Sequence, residues 1–178
     1  MRKNRLVLIV IMLACMQLSF ASYRTAGYGW SVEGTAFLQQ PAYSSSSGAL
    51  HILLTPFDFE FLEPAMFCEV RFGIRSGSPG YLNLTAGSEI SLFRMINHPF
   101  GFLMPVNKTA YAPSFSIGAR WESHDAEVPR LYMQLAWLRL LEKDAWYQWF
   151  SPFVTLDVRS GQIDSWGIQL WRFSYLVW

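Results

Sequence analysis

Between Met66 and Arg75, Cys68, Val70, Phe72 and Ile74 alternate with Glu69, Arg71, Gly73 and Arg75. Successive side chains of an extended chain point to opposite faces, so this period of two describes a strand with one apolar face and one that carries charge. The pattern recurs along the chain. Leu82, Leu84, Ala86, Ile90 and Leu92 oppose Asn83, Thr85, Gly87, Glu89 and Ser91, and Phe115, Ile117, Ala119 and Trp121 oppose Ser114, Ser116, Gly118 and Arg120. Tyr28, Trp30, Val32, Ala36 and Leu38 oppose Gly29, Ser31, Glu33 and Thr35, with Phe37 breaking the polar face. A chain made of such segments builds sheet and not helix.

The alternation predicts eight strands, four between Thr25 and Arg94 and four between Pro113 and Trp178. Turn chemistry separates them. Gln39 to Gly48, with Pro41 and four consecutive serines, reads as a loop; Leu62-Glu63-Pro64-Ala65 and Ser76 to Gly80 read as turns, and Glu122 to Pro129 and Ser160 to Ser165 as connections. The second strand is expected over Ala49 to Phe61, where Phe57, Phe59 and Phe61 alternate with Asp58 and Glu60, although Pro56 fits only at an edge or bulge. Arg130 to Leu141 sets Leu131, Met133, Leu135 and Trp137 against Tyr132, Gln134 and Ala136. Its leucine-rich second half has helical propensity as well, but Glu142-Lys143-Asp144 turns it directly into the next strand. Met95 to Ala112 fits no strand and is expected as a rim segment, a short helix or a sign of a different strand count.

Met1 to Ala21 stands apart from this pattern. Arg2, Lys3 and Arg5 precede the apolar run Leu6 to Leu18, and Ser19-Phe20-Ala21 forms a small-x-small site. That order is expected of a cleaved signal peptide, with lipidation of Cys15 after Leu13-Ala14 as the competing processing. Residues 22–178 then carry 11 basic and 13 acidic side chains, a net charge of −2, and the single cysteine Cys68, so no internal disulfide can form. No basic surplus points to nucleic acid, and no later apolar run is long enough for a membrane helix. Charged residues are 15% of the chain, against about 25% in ordinary soluble domains, while aromatic residues reach 17%.

The polar faces collect Glu33, Asp58, Glu60, Glu69, Glu89 and Asp157 against Arg71, Arg75, Arg120, Arg159 and Arg172. Charges sent into the narrow space of an eight-stranded barrel must pair, and arginine suits bidentate pairing with carboxylates. If the same charges faced water on a soluble barrel, lysine would be common on the strands. Residues 22–178 contain only Lys108 and Lys143, both in connections. The final run, Trp166 to Trp178, is strongly apolar; a soluble closing hairpin is the alternative, but such a strand invites edge pairing in water and is at home against lipid.

These features together resemble the small bacterial outer-membrane barrels of the OmpX, OmpA-barrel and OmpW type. The resemblance implies an all-β, eight-stranded antiparallel up-and-down transmembrane β-barrel after a signal peptide, with residues 22–178 as one domain. It also implies residence in the bacterial outer membrane, contact with outer-membrane lipid, and assembly by an insertion machinery that recognises a C-terminal strand ending in an aromatic residue. In that last respect the chain departs from the pattern: Trp178 alternates with Leu176, Ser174 and Arg172, whereas Trp171, Phe173, Tyr175 and Val177 have the opposite parity.

No cofactor, metal or catalytic set is expected. His51, His98 and His124 lack a shared ligand spacing. Ser123-His124-Asp125 holds a nucleophile, base and acid, but adjacent residues of an extended loop cannot make the mutual hydrogen bonds of a triad. An enzyme acting on membrane lipid would need His124. The reading is therefore a non-enzymatic barrel with a structural, surface-contact or small hydrophobic solute role. The alternative is a periplasmic or lipid-anchored barrel of lipocalin type that binds an apolar ligand.

Overall fold

The computed structural model describes residues 25–37, 44–55, 64–75, 80–96, 110–123, 125–142 and 145–177. The expected signal segment, Asp58, Glu60, His98, His124 and Trp178 lie outside them. The described elements are all strands: β1 (Thr25–Phe37), β2 (Ser44–Thr55), β3 (Ala65–Arg75), β4 (Tyr81–Ser91), β5 (Ala110–Tyr111), β6 (Ser114–Glu122), β7 (Asp125–Ala136), β8 (Leu138–Leu141), β9 (Ala145–Asp157) and β10 (Ile163–Val177).

Ten strands make eight walls. β5 continues into β6 across Ala112-Pro113 and β7 into β8 across Trp137, both halves of each wall pairing with the neighbouring wall. Every pairing is antiparallel, and β10 pairs with both β9 and β1, which closes the sheet into a barrel with no free edge. Hairpins are longer than the turn residues suggest. Ser44–Gly48, expected as a loop, opens β2 and pairs with β1 and β3. The reason lies in the inward serines: Ser45 Oγ meets Tyr81 Oη at 2.8 Å and Ser47 Oγ accepts from Arg71 at 3.1 Å, so the ladder continues where composition suggests a break. The Glu122–Pro129 connection contracts likewise, because Glu122 pairs with Asp125.

The register also carries a dislocation. One extra residue enters each of three adjacent walls, at Trp137/Leu138, at Trp149/Phe150 and at Leu170/Trp171. Through these positions the ladders among the three walls stay in step, while a one-residue offset appears against β5–β6 on one side and between Val32 and Glu33 of β1 on the other; a separate shift between Ile163 and Ser165 lies at the start of β10. Such bulges let two consecutive side chains point the same way and invert the alternation beyond them. Phe150 sits in the left-handed region at φ 49°, uncommon for a bulky residue. The Trp137 indole N–H donates to the Phe150 carbonyl at 2.9 Å, and Tyr111 Oη donates to the Trp137 carbonyl at 2.7 Å, so side chains supply bonds that the ladder lacks there.

Burial is inverted relative to a water-soluble domain. Among the largest side chains with almost no exposed surface are Arg71, Arg120 and Arg139, whereas Ile74 is 76% exposed and Leu50 64%. The outer surface is also uneven around the barrel. On β1, β9 and β10, rings pack against one another in a continuous band: Trp30 on Trp171 at 4.1 Å, Tyr147 on Phe173 at 5.2 Å, and Tyr28 on Tyr175 at 6.0 Å between centroids.

Candidate functional site in the barrel interior

The barrel centre is a layered arrangement of guanidinium and carboxylate groups. Glu33 on β1, Glu69 and Arg71 on β3 and Arg120 on β6 all point inward because each lies on the polar phase of its strand. Arg71 pairs with Glu33 at 3.0 Å and with Glu69 at 2.5 Å. Arg120 reaches both Glu33 oxygens, at 3.3 and 3.4 Å, and its Nε–H donates to Thr85 at 3.1 Å. Hydroxyls complete the cluster: Thr35 donates to Glu33 at 3.0 Å and Ser31 to Glu69 at 3.3 Å. Arg120 is further held between rings, 4.4 Å from the Tyr132 centroid and 4.9 Å from that of Phe153. A cation over a ring face is stabilised by the ring quadrupole, which suits a planar guanidinium in a dry space.

Glu89 organises the second cluster. Arg172 Nη1 lies 2.9 Å from one of its oxygens and Arg139 Nε 3.2 Å from the other, while Ser114 and Gln148 donate to it at 2.9 and 3.0 Å. Arg139 stacks over Trp146 at 4.0 Å and donates to Ser91 at 2.6 Å. His51 joins through its Nε2, 2.8 Å from Ser174 Oγ and 3.5 Å from Arg172 Nε. Its ring fits because β1 has glycine opposite it: a Cβ on Gly29 would collide with the His51 side chain and the Phe173 carbonyl. Between the clusters Gln134 donates to Gln169 at 3.1 Å. Nearer the β9–β10 turn, Arg130 pairs with Asp164 at 2.8 Å and Glu122 at 3.5 Å.

Glu33, Glu69, Arg71, Glu89, Arg120 and Arg172 thus meet in the interior. Asp157 and Arg159 do not, which corrects their expected place in the network. Both lie at the turn where β9 ends, too far along the strand for their inward phase to reach the centre. There the Arg159 backbone N–H donates to Asp157 Oδ1 at 2.8 Å, which holds that carboxyl below the usual carboxylate range, and Ser160 donates to Oδ2 at 3.1 Å. The Arg75 backbone pairs with Ser45 at the end of β3, and its side chain, like Asp58 and Glu60, lies outside the described residues.

Alternation alone misses two members. Arg139 and Gln148 fall on the apolar phase if counting continues through Trp137 and Phe150, and the extra residue turns them inward. An arginine interrupting an apolar face is the available signal for such a bulge. Arg130, which opens the strand expected over Arg130 to Leu141 and shares the phase of Tyr132 and Gln134, also turns inward, although it is not among the charges expected there.

Chemically, the arrangement stores paired charge. Arginine stays protonated, and each central carboxylate is committed to at least one guanidinium. Among the described residues no cluster of three or more histidine, cysteine, aspartate or glutamate side chains could hold a metal. Compared with known proteins, the chain matches no family model, no curated protein and no solved structure.

Proposed function

We propose that this chain is an integral outer-membrane β-barrel protein, non-enzymatic, whose closed and salt-bridged interior serves a structural and surface-contact role and not the passage of solutes. The observation that carries this reading is the inverted side-chain distribution. Buried arginines and glutamates fill the centre, while Leu50, Ile52, Phe72, Ile74, Trp166 and Ile168 stand on the outside. In water that exterior would leave apolar area uncovered at about 25 cal/mol per Å², and soluble monomers rarely show patches beyond a few hundred Å². Against hydrocarbon the cost disappears, and the closed ladder leaves no backbone group unpaired at an edge. Strands of 11 to 15 residues on β1, β2, β3, β4, β9 and β10 exceed the roughly 9–11 that a tilted transmembrane strand needs. The aromatic band on β1, β9 and β10 has the chemistry of a membrane-boundary girdle.

This is the reading in which the likeness to the OmpX, OmpA-barrel and OmpW type has physical content, with outer-membrane lipid and the insertion machinery as its partners. A lipocalin-like barrel would need an apolar interior for its ligand. Here the inward rings Tyr132, Phe153 and Trp146 are covered by Arg120 and Arg139, which favours the membrane reading.

Envelope fractionation combined with gel migration tests it. The expected outcome is recovery in the outer-membrane fraction, extraction only with detergent, and a faster-migrating unheated band that shifts on boiling. Release into aqueous buffer as a folded monomer overturns it.

A further inference from the structure

On the flank away from the aromatic band the outer wall is hollowed. Register sets Cys68, Ala86 and Ala119 side by side on three adjacent walls, between Ile52 and Leu131. Three small side chains in a row sink the surface, and the depression they floor encloses about 420 Å³. Its rims are Leu54 and Met66 at one end and Trp121 at the other. That volume lies within the range of about 300–1,000 Å³ typical of small-ligand sites, and the lining is almost wholly apolar.

We propose that this groove is a binding site for one acyl chain of a membrane lipid, held more tightly than the lipid around the rest of the barrel. The inference rests on the membrane reading above and goes beyond it by assigning a particular site on the wall. Two observations select the occupant. First, the groove is continuous with the apolar exterior, flanked by exposed Ile52, Leu84 and Ile117, so the medium that covers those residues also reaches it. Second, a second copy is a poor fit. A two-fold axis through the hollow sets it against its own copy, and two identical hollows facing each other enclose a larger void instead of filling one. A flexible methylene chain is convex, apolar and narrow enough to lie over Ala86 and Ala119, gaining contacts on three sides where a flat wall offers one.

The full chain, reconstituted in vesicles of phosphatidylethanolamine and phosphatidylglycerol and extracted into mild detergent, is examined by native mass spectrometry. The expected result is one phospholipid retained per barrel after the others are stripped. Ala86→Phe and Ala119→Phe, which fill the hollow from outside, should each weaken retention about tenfold, the effect of losing roughly two buried methylenes. Ile168→Phe on the opposite flank should leave it unchanged. Heat-modifiable migration establishes that each variant is folded, and the smaller Ser88→Leu, lining the same hollow, serves if a phenylalanine variant does not fold. Equal retention in wild type and the folded filled variants overturns the site. So does a wild-type dimer that the same substitutions dissociate, because the hollow is then an interface between copies. If the wild-type chain is soluble without detergent, the membrane reading itself fails, an outcome separate from loss of the site alone.

Discussion

Arg71 shows what a single buried ion costs and contributes. It exposes none of its surface and serves Glu33 and Glu69 at once, so removing it leaves two carboxylates in a dry space with one fewer cation. Arg71→Met is expected to lower the unfolding free energy by about 3–5 kcal/mol, the usual cost of breaking a buried pair, measured by urea titration of tryptophan fluorescence in vesicles. Arg159→Ala, at the turn, should leave the same midpoint almost unmoved, and a comparable loss there would contradict the placement of Arg159 outside the network. At this scale the interior was legible wherever a strand keeps strict alternation. Glu33, Glu69, Arg71, Glu89 and Arg120 follow from their neighbours' parity alone. Arg139 and Gln148 were not legible, because the extra residue that turns them inward leaves no mark in the local sequence except an arginine and a glutamine on the wrong phase.

The dislocation across β7–β8, β9 and β10 is the main feature of the elements that periodicity could not supply. Alternation identifies a strand but not how many residues face one residue of the partner, and three walls that shift together disturb only the two outer seams. Its stability depends on side chains standing in for ladder bonds. Trp137→Phe keeps an aromatic ring but removes the N–H donated to the Phe150 carbonyl. The expected loss is about 1 kcal/mol, the net worth of one hydrogen bond, whereas Trp30→Phe, on the regular part of β1, should cost less under the same urea titration. If the two variants unfold alike, the indole bond is not what secures the slip. The serine run at the start of β2 failed as a loop signal for a related reason. Serine marks turns because its hydroxyl competes for backbone bonds, but the hydroxyls of Ser45 and Ser47 turn inward to Tyr81 on β4 and Arg71 on the neighbouring β3.

For the whole molecule, the closed antiparallel topology fixes which connections share an end. The β6–β7 and β9–β10 turns lie at one end and the β8–β9 turn at the other. If the end bearing the β6–β7 and β9–β10 turns faces outside, as expected for the proposed outer-membrane barrel, Ser123→Cys and Ser160→Cys in a Cys68→Ser background should react with a membrane-impermeant maleimide on intact cells. Glu142→Cys should react only after the envelope is permeabilised, and labelling of all three on intact cells would remove the membrane reading. Architecture was the most legible level, since scarce lysine, abundant aromatics and repeated alternation all restrict the same choice. Met95–Ala112 was the least, and there Met95 bridges to Tyr111 while Ala110–Tyr111 extends the β6 wall, so part of the segment belongs to the barrel after all. The two flanks of that barrel are unlike, ringed with stacked aromatics on one and scooped out on the other. A cylinder of this kind has a front and a back, so in the proposed membrane setting neighbours crowding it should meet it in a preferred orientation and not at random around its axis.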